Sequence, residues 1–235
     1  MDSRSAKTVA AVGLLYPLLT VVGFVAFPKP PGGDVSAAHD PDWLATNTNA
    51  VIAQSYVRAL AAIGFIALTA AIAHTARRAT LSPSLTGLIT AGGATCGALL
   101  LAAQTTTLAA ALASRDHLPS GVIRPFDNVN AALLAMSSLP AVLLFAGAGV
   151  MFWQRVKTPR WLAVLTLAGV PLSLVDALSY EGGPLAAVGI LGLAFFLVWS
   201  LSAAVYLSWH HVPNDPTVSS TVRDEPAMVV PSAHS

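Results

Sequence analysis

Charge is scarce in this sequence. Asp, Glu, Lys and Arg make up 10% of its 235 residues, against about a quarter in soluble domains. Cysteine is nearly absent too: the lone Cys96 excludes an intramolecular disulfide and a zinc site built on cysteines. It sits inside an apolar run and reads as a small buried hydrophobe rather than a reactive thiol. The 6 histidines include no two spaced four apart on one helix, so metal or haem ligation has no supporting pattern. His39, Asp40 and Asp42 could hold a cation in a loop, but the group reads more simply as solvated. There is no phosphate-cradling glycine loop, nucleophile elbow or HExxH. Neither a metal nor a cofactor is expected. A net charge of +1, with basic residues in short clusters, excludes a nucleic-acid partner.

What the sequence has in abundance is long apolar runs, with 55% hydrophobic residues. Several runs exceed the roughly 18 residues needed to cross a hydrocarbon core of about 30 Å. The expected fold is therefore all-α: a polytopic bundle of six transmembrane helices over about 8–27, 49–74, 85–113, 127–153, 161–180 and 184–209, one domain of residues 1–209. The polar residues 210–235, rich in Pro, Ser and Val, are expected to form a disordered cytoplasmic tail. The first run resembles a secretory signal, but its aromatic end, Phe24 to Phe27, argues against cleavage. Prolines mark the punctuation: Pro28, Pro30 and Pro31 after the first span, Pro83 opening the third, Pro119 and Pro125 before the fourth, Pro159 and Pro184 before the last two. Pro17, Pro140 and Pro171 fall inside spans and should kink them.

Sidedness follows from the basic residues. With the N-terminus inside, the inner segments hold Arg4, Lys7, Arg77, Arg78, Arg155, Lys157, Arg160 and Arg223, and the outer loops only Lys29, Arg115 and Arg124. Trp153, Trp161 and Trp209 fall at the inner boundary, where amphipathic indoles belong. The expected location is the plasma membrane, with both termini cytoplasmic. Helix hairpins with a basic turn followed by proline, before Leu85 and again before Trp161, look like an internal repeat, although shared helix-start chemistry explains them more simply. Gly93 and Gly97, Gly147 and Gly149, and Gly189 and Gly192 supply small patches for close packing within the bundle.

Ionisable residues inside spans are the informative exceptions, since a charge at the bilayer centre costs at least about 2.5 kcal/mol. Arg58 in the second span lies roughly 13 Å below the outer boundary, and Asp176 in the fifth roughly 6–8 Å below it, at about 1.5 Å rise per residue. That offset suits a salt bridge or a shared polar network. Gln54 shares the helix face of Arg58, and Ser173 and Tyr180 that of Asp176. Gln104 with Thr107, and Asp127 with Asn130, bring further polar groups to the outer halves of the third and fourth spans. The inner halves are almost purely apolar. A polar pocket open to the outside is expected, its candidate ligand-binding residues being Gln54, Arg58, Gln104, Asn130, Asp176 and Tyr180. The same cluster could simply lock four helices together.

The chain resembles small Ala/Leu/Gly-rich integral membrane proteins of actinobacteria grouped into families of unknown function. The residues carrying that resemblance are Phe27-Pro28, Ser36-Ala37-Ala38, Val51 to Tyr56, Pro159-Arg160-Trp161-Leu162 and Phe196-Leu197-Val198-Trp199. It implies a multi-pass fold and transfers no catalytic residue. The best-supported function is binding or handling of a lipid-like or small amphiphilic molecule in the pocket. One alternative is an intramembrane cyclase or isomerase for an isoprenoid or polyketide-like substrate, with Asp176 its only deep acid. Another is a structural or assembly subunit of a membrane complex. The partners expected are the lipid bilayer and a hydrophobic small molecule; no protein partner is named by any motif.

Overall fold

The computed structural model describes residues 8, 11–28, 41–78, 82–155, 158–178 and 186–209. Among these the chain is all-helical: α1 Leu15–Val25, α2 Pro41–Arg78, α3 Pro83–Arg115, α4 Ser120–Gln154, α5 Arg160–Leu178 and α6 Ala186–Trp209. Five helices, α2 to α6, are long and apolar enough to cross a membrane, as expected of a multi-pass membrane protein; the apolar segment Ala11–Val25 is shorter. The expected disordered tail, Tyr180 and the expected turn at Glu181 lie outside the described residues.

Local chemistry explains the helix ends. Pro41 starts α2 with φ already set for a helix, and Asp42 in the first turn faces the positive end of the helix dipole. Arg77 and Arg78 complement the opposite end. Ser82 caps α3 by accepting the Ser84 N–H at 3.3 Å, with Pro83 at the first helical position. At its far end α3 closes with a Schellman arrangement. The His117 N–H reaches the Ser114 carbonyl at 3.0 Å, and the Leu118 N–H that of Ala113 at 3.1 Å. His117 takes the left-handed φ of 55° that this cap demands.

Two helices start well before the expected spans: α2 at 41 rather than 49, and α4 at 120 rather than 127. Packing overrides the local breakers there. Leu44 and Val51 of α2, Ala110, Ala111 and Ala113 of α3 and Ile123 of α4 form a small buried cluster, backed by Trp43, Ile52 and Phe126. Ile123, completely buried, rewards a helical turn that Pro125 alone would discourage. Pro140 and Pro171 are both accommodated inside helices. Near Pro17 the apolar segment is interrupted at Leu14, in keeping with the missing proline N–H that would have bonded the Gly13 carbonyl.

Successive helices pack as neighbours from α1 to α6, and α6 returns to touch α1 and α2, closing the bundle. Glycines let them approach. A Cβ at Gly92 would stand 2.5 Å from the Leu144 backbone nitrogen, and one at Gly93 2.5 Å from Thr69 Cβ; Gly97 meets Ile66 the same way. These glycines are spent on contacts within the chain. Hydroxyls in the helices mostly return to carbonyls one turn back, as Ser55 does to Val51 at 2.9 Å and Thr75 to Ala71 at 2.8 Å, which satisfies them without water.

Aromatic rings pack in the bundle's core. Phe145 is the hub, with ring centroids 4.7 Å from Trp199 and 5.1 Å from Phe196. Tyr16 stacks at a tilt on Phe65, 5.1 Å away. The Trp199 indole N–H donates to Thr166 Oγ1 at 3.0 Å, so even this fully buried ring has its polar atom satisfied.

Candidate functional site

The site begins with how α1 and α2 cross. Gly23 leaves no side chain on α1, and the Arg58 stem lies in the space: a Cβ there would come 3.2 Å from Arg58 Cγ. The guanidinium is thereby held over the Phe24 ring, its carbon 4.7 Å from the centroid. Beside it the Gln54 amide donates to the Gly23 carbonyl at 2.6 Å. That bond ties α2 to α1 at the crossing. The glutamine shares a helix face with Arg58, but its amide is engaged by α1, and among the cavity's lining residues Arg58 is present and Gln54 is not.

The opposite wall is built by α4, α5 and α6. Ser138 of α4 donates to the Asp176 carboxylate at 2.5 Å. Gly192 of α6 makes room for the same carboxylate: a Cβ there would stand 3.1 Å from Asp176 Oδ1. The remaining wall joins α3 and α4. Asn130 turns its amide donors into α3, reaching the Ala103 carbonyl at 2.5 Å, Thr107 Oγ1 at 2.7 Å and Thr106 Oγ1 at 3.2 Å. Gln104 is 9% exposed; its amide N–H reaches the Leu100 carbonyl at 3.4 Å, while its carbonyl oxygen is buried without a partner.

These walls enclose a cavity of 510 Å³ lined from all six helices, within the size range of small-molecule sites. Arg58, Gln104, Asn130 and Asp176 all line it. Sequence reasoning missed several other lining residues. Tyr16 and Phe196 line it where the aromatic packing begins, and Thr20, Phe24, Ser137 and Ser138 add to its walls. The adjacent serines of α4 were the available signal, since a polar pair in an apolar run needs a partner.

The direct salt bridge expected between Arg58 and Asp176 is not formed. Arg58 has no hydrogen-bond or ion-pair partner among the described residues, and its buried Nε is unsatisfied. Arg58 lies against Gly23 of α1, whereas Asp176 lies against Gly192 of α6 and is bonded to Ser138 of α4. Among the described residues that line the cavity there is no histidine, and Asp176 is the only carboxylate. Among the same residues no group of three His, Cys, Asp or Glu could hold a metal. Cys96 lines the cavity but is 1% exposed.

No family model matches the chain, and neither a curated protein nor a solved structure does so.

Proposed function

We propose that this protein is a membrane protein of six crossings, both termini cytoplasmic, that binds a lipid-like or small amphiphilic molecule in the outer-half cavity. The carrying observation is that Arg58 and Asp176 line one cavity without bonding each other. A structural lock would join opposite charges directly, because a buried charge left uncompensated is costly. Keeping them apart around an open space instead suits recognition. The amphiphile fits because polar atoms of α2 to α5 meet apolar surface from Leu100, Leu134, Leu193 and Phe196 in one chamber.

The test is Arg58→Leu, with binding of fluorescent lipid analogues and thermal unfolding both measured in detergent. Binding is expected to be lost while unfolding remains cooperative; unchanged binding refutes the reading. Sidedness is tested separately. With Cys96 replaced by Ser, single cysteines introduced at Ser3 and Ser232 should both resist impermeant thiol reagents in intact cells. Labelling of either one from outside refutes the cytoplasmic assignment of that terminus.

A further inference from the structure

Resting on the amphiphile reading, we infer that the ligand's headgroup carries an anionic phosphate or carboxylate that the Arg58 guanidinium holds, together with a hydroxyl or amide N–H for the Gln104 carbonyl. A guanidinium carries five N–H donors around its edge. Here the Phe24 ring covers one face of it, and no acceptor from any described residue meets that edge. Of these donors the Nε is buried with no partner, and a donor removed from water without an acceptor is expensive, more so when charged. The carboxylate in the same cavity does not supply them: Asp176 is bonded to Ser138 and seated on Gly192, beyond salt-bridge distance from Arg58. The partner missing from the site is therefore an acceptor, and a charged, two-oxygen acceptor suits a planar fork best.

Gln104 sets the second requirement. It is more than nine-tenths buried, and the partnerless atom is its carbonyl oxygen, which can only accept. A ligand with an anion alone would leave this atom unsatisfied. An anion with a neighbouring hydroxyl or amide N–H satisfies both. Tyr16 and Phe196 then offer an apolar seat for the start of a hydrocarbon tail. A purely cationic amphiphile would leave Arg58 without its acceptor.

The test uses the full chain in non-ionic detergent, with binding followed by native mass spectrometry. Three probes are compared: dioleoyl phosphatidylglycerol; dioleoylglycerol, which keeps the tails and a hydroxyl but lacks the phosphate; and water-soluble glycerol 3-phosphate. The phospholipid is expected to bind at least about tenfold more tightly than dioleoylglycerol. The preference should vanish in Arg58→Gln and persist, weakened, in Arg58→Lys. Glycerol 3-phosphate should bind far more weakly than the phospholipid. Equal binding of the two lipids, or a preference that survives in folded Arg58→Gln, overturns the headgroup assignment and leaves amphiphile binding standing. Glycerol 3-phosphate bound as tightly as the phospholipid makes this a site for soluble anions and overturns the amphiphile reading with it. Absence of binding by all three overturns both. Should Arg58→Gln fail to fold, the comparison of the two lipids on the unaltered protein decides.

Discussion

Arg58 lies across Gly23 so closely that a methyl group added to the glycine would stand 3.2 Å from Cγ and 3.5 Å from Nε. The hydrogen of a glycine thus sets where an embedded cation rests. Gly23→Val should push the arginine stem off α1 and the guanidinium off Phe24. The expected cost is about 1–3 kcal/mol by overpacking, read by denaturant titration in detergent. Gly87 provides the contrast, since nothing stands within 4 Å of its would-be Cβ. Gly87→Ala should stabilise the exposed helix by about 0.5–1 kcal/mol. Equal effects at the two positions would mean that crowding at Gly23 is not what places Arg58.

The Ser138–Asp176 bond, at 2.5 Å, joins α4 to α5 across a part-buried contact. Ser138→Ala removes the donor and keeps the volume. It should lower stability by about 1–3 kcal/mol, the range for stranding one partner of such a bond. Ser137→Ala should cost less, because the Ser137 hydroxyl only returns to the Leu134 carbonyl of its own helix at 2.6 Å. Unfolding midpoints of the two variants check the order.

His117 occupies a backbone conformation, φ 55°, that costs an L-residue roughly 1–2 kcal/mol and glycine almost nothing. His117→Gly keeps both Schellman hydrogen bonds and should raise the unfolding free energy by about 0.5–1 kcal/mol. A loss of stability would show instead that the imidazole makes a contact worth more than the strain.

Cys96 is the only cysteine in the chain, so thiol chemistry reads a single site. It is 1% exposed. A maleimide should label the folded protein at least about a hundredfold more slowly than the protein opened in denaturing detergent, since reaction of a buried thiol awaits local opening. Rapid labelling of the folded form would show that the cavity wall opens readily at α3.

Much of this architecture is legible in the residues, because lipid leaves few options: long uncharged runs become helices, and embedded charges stand out against them. Arg58, Gln104, Asn130 and Asp176 could be assembled from depth and helical spacing alone, and they do line one cavity. The salt bridge between the first and last could not be judged the same way. Depth gives height along the bundle, whereas Gly23 and Gly192 set direction around it, and a glycine's effect depends on which helix faces it. The Gln54 contact with Gly23 is hidden in the same way, since helical spacing gives the face of α2 and not the helix that meets it. The early start of α4 is hidden behind Pro125, whose penalty is offset by contacts distant in sequence, those of Ile123 with the Leu44 cluster.

The 38, 33 and 35 residues of α2, α3 and α4 correspond to lengths of roughly 50–57 Å at 1.5 Å per residue, well beyond a hydrocarbon core of about 30 Å. With the apolar stretches placed in such a core, the end where Leu44, Ala111 and Ile123 meet would project from it, held by its own miniature core. For a chain of 24.1 kDa, such a projection offers an antibody fragment firm purchase without disturbing the surrounding detergent. A binder raised against it would sit next to the wall carrying Gln104 and Asn130, and competition between that binder and added lipid would report occupancy from the aqueous side.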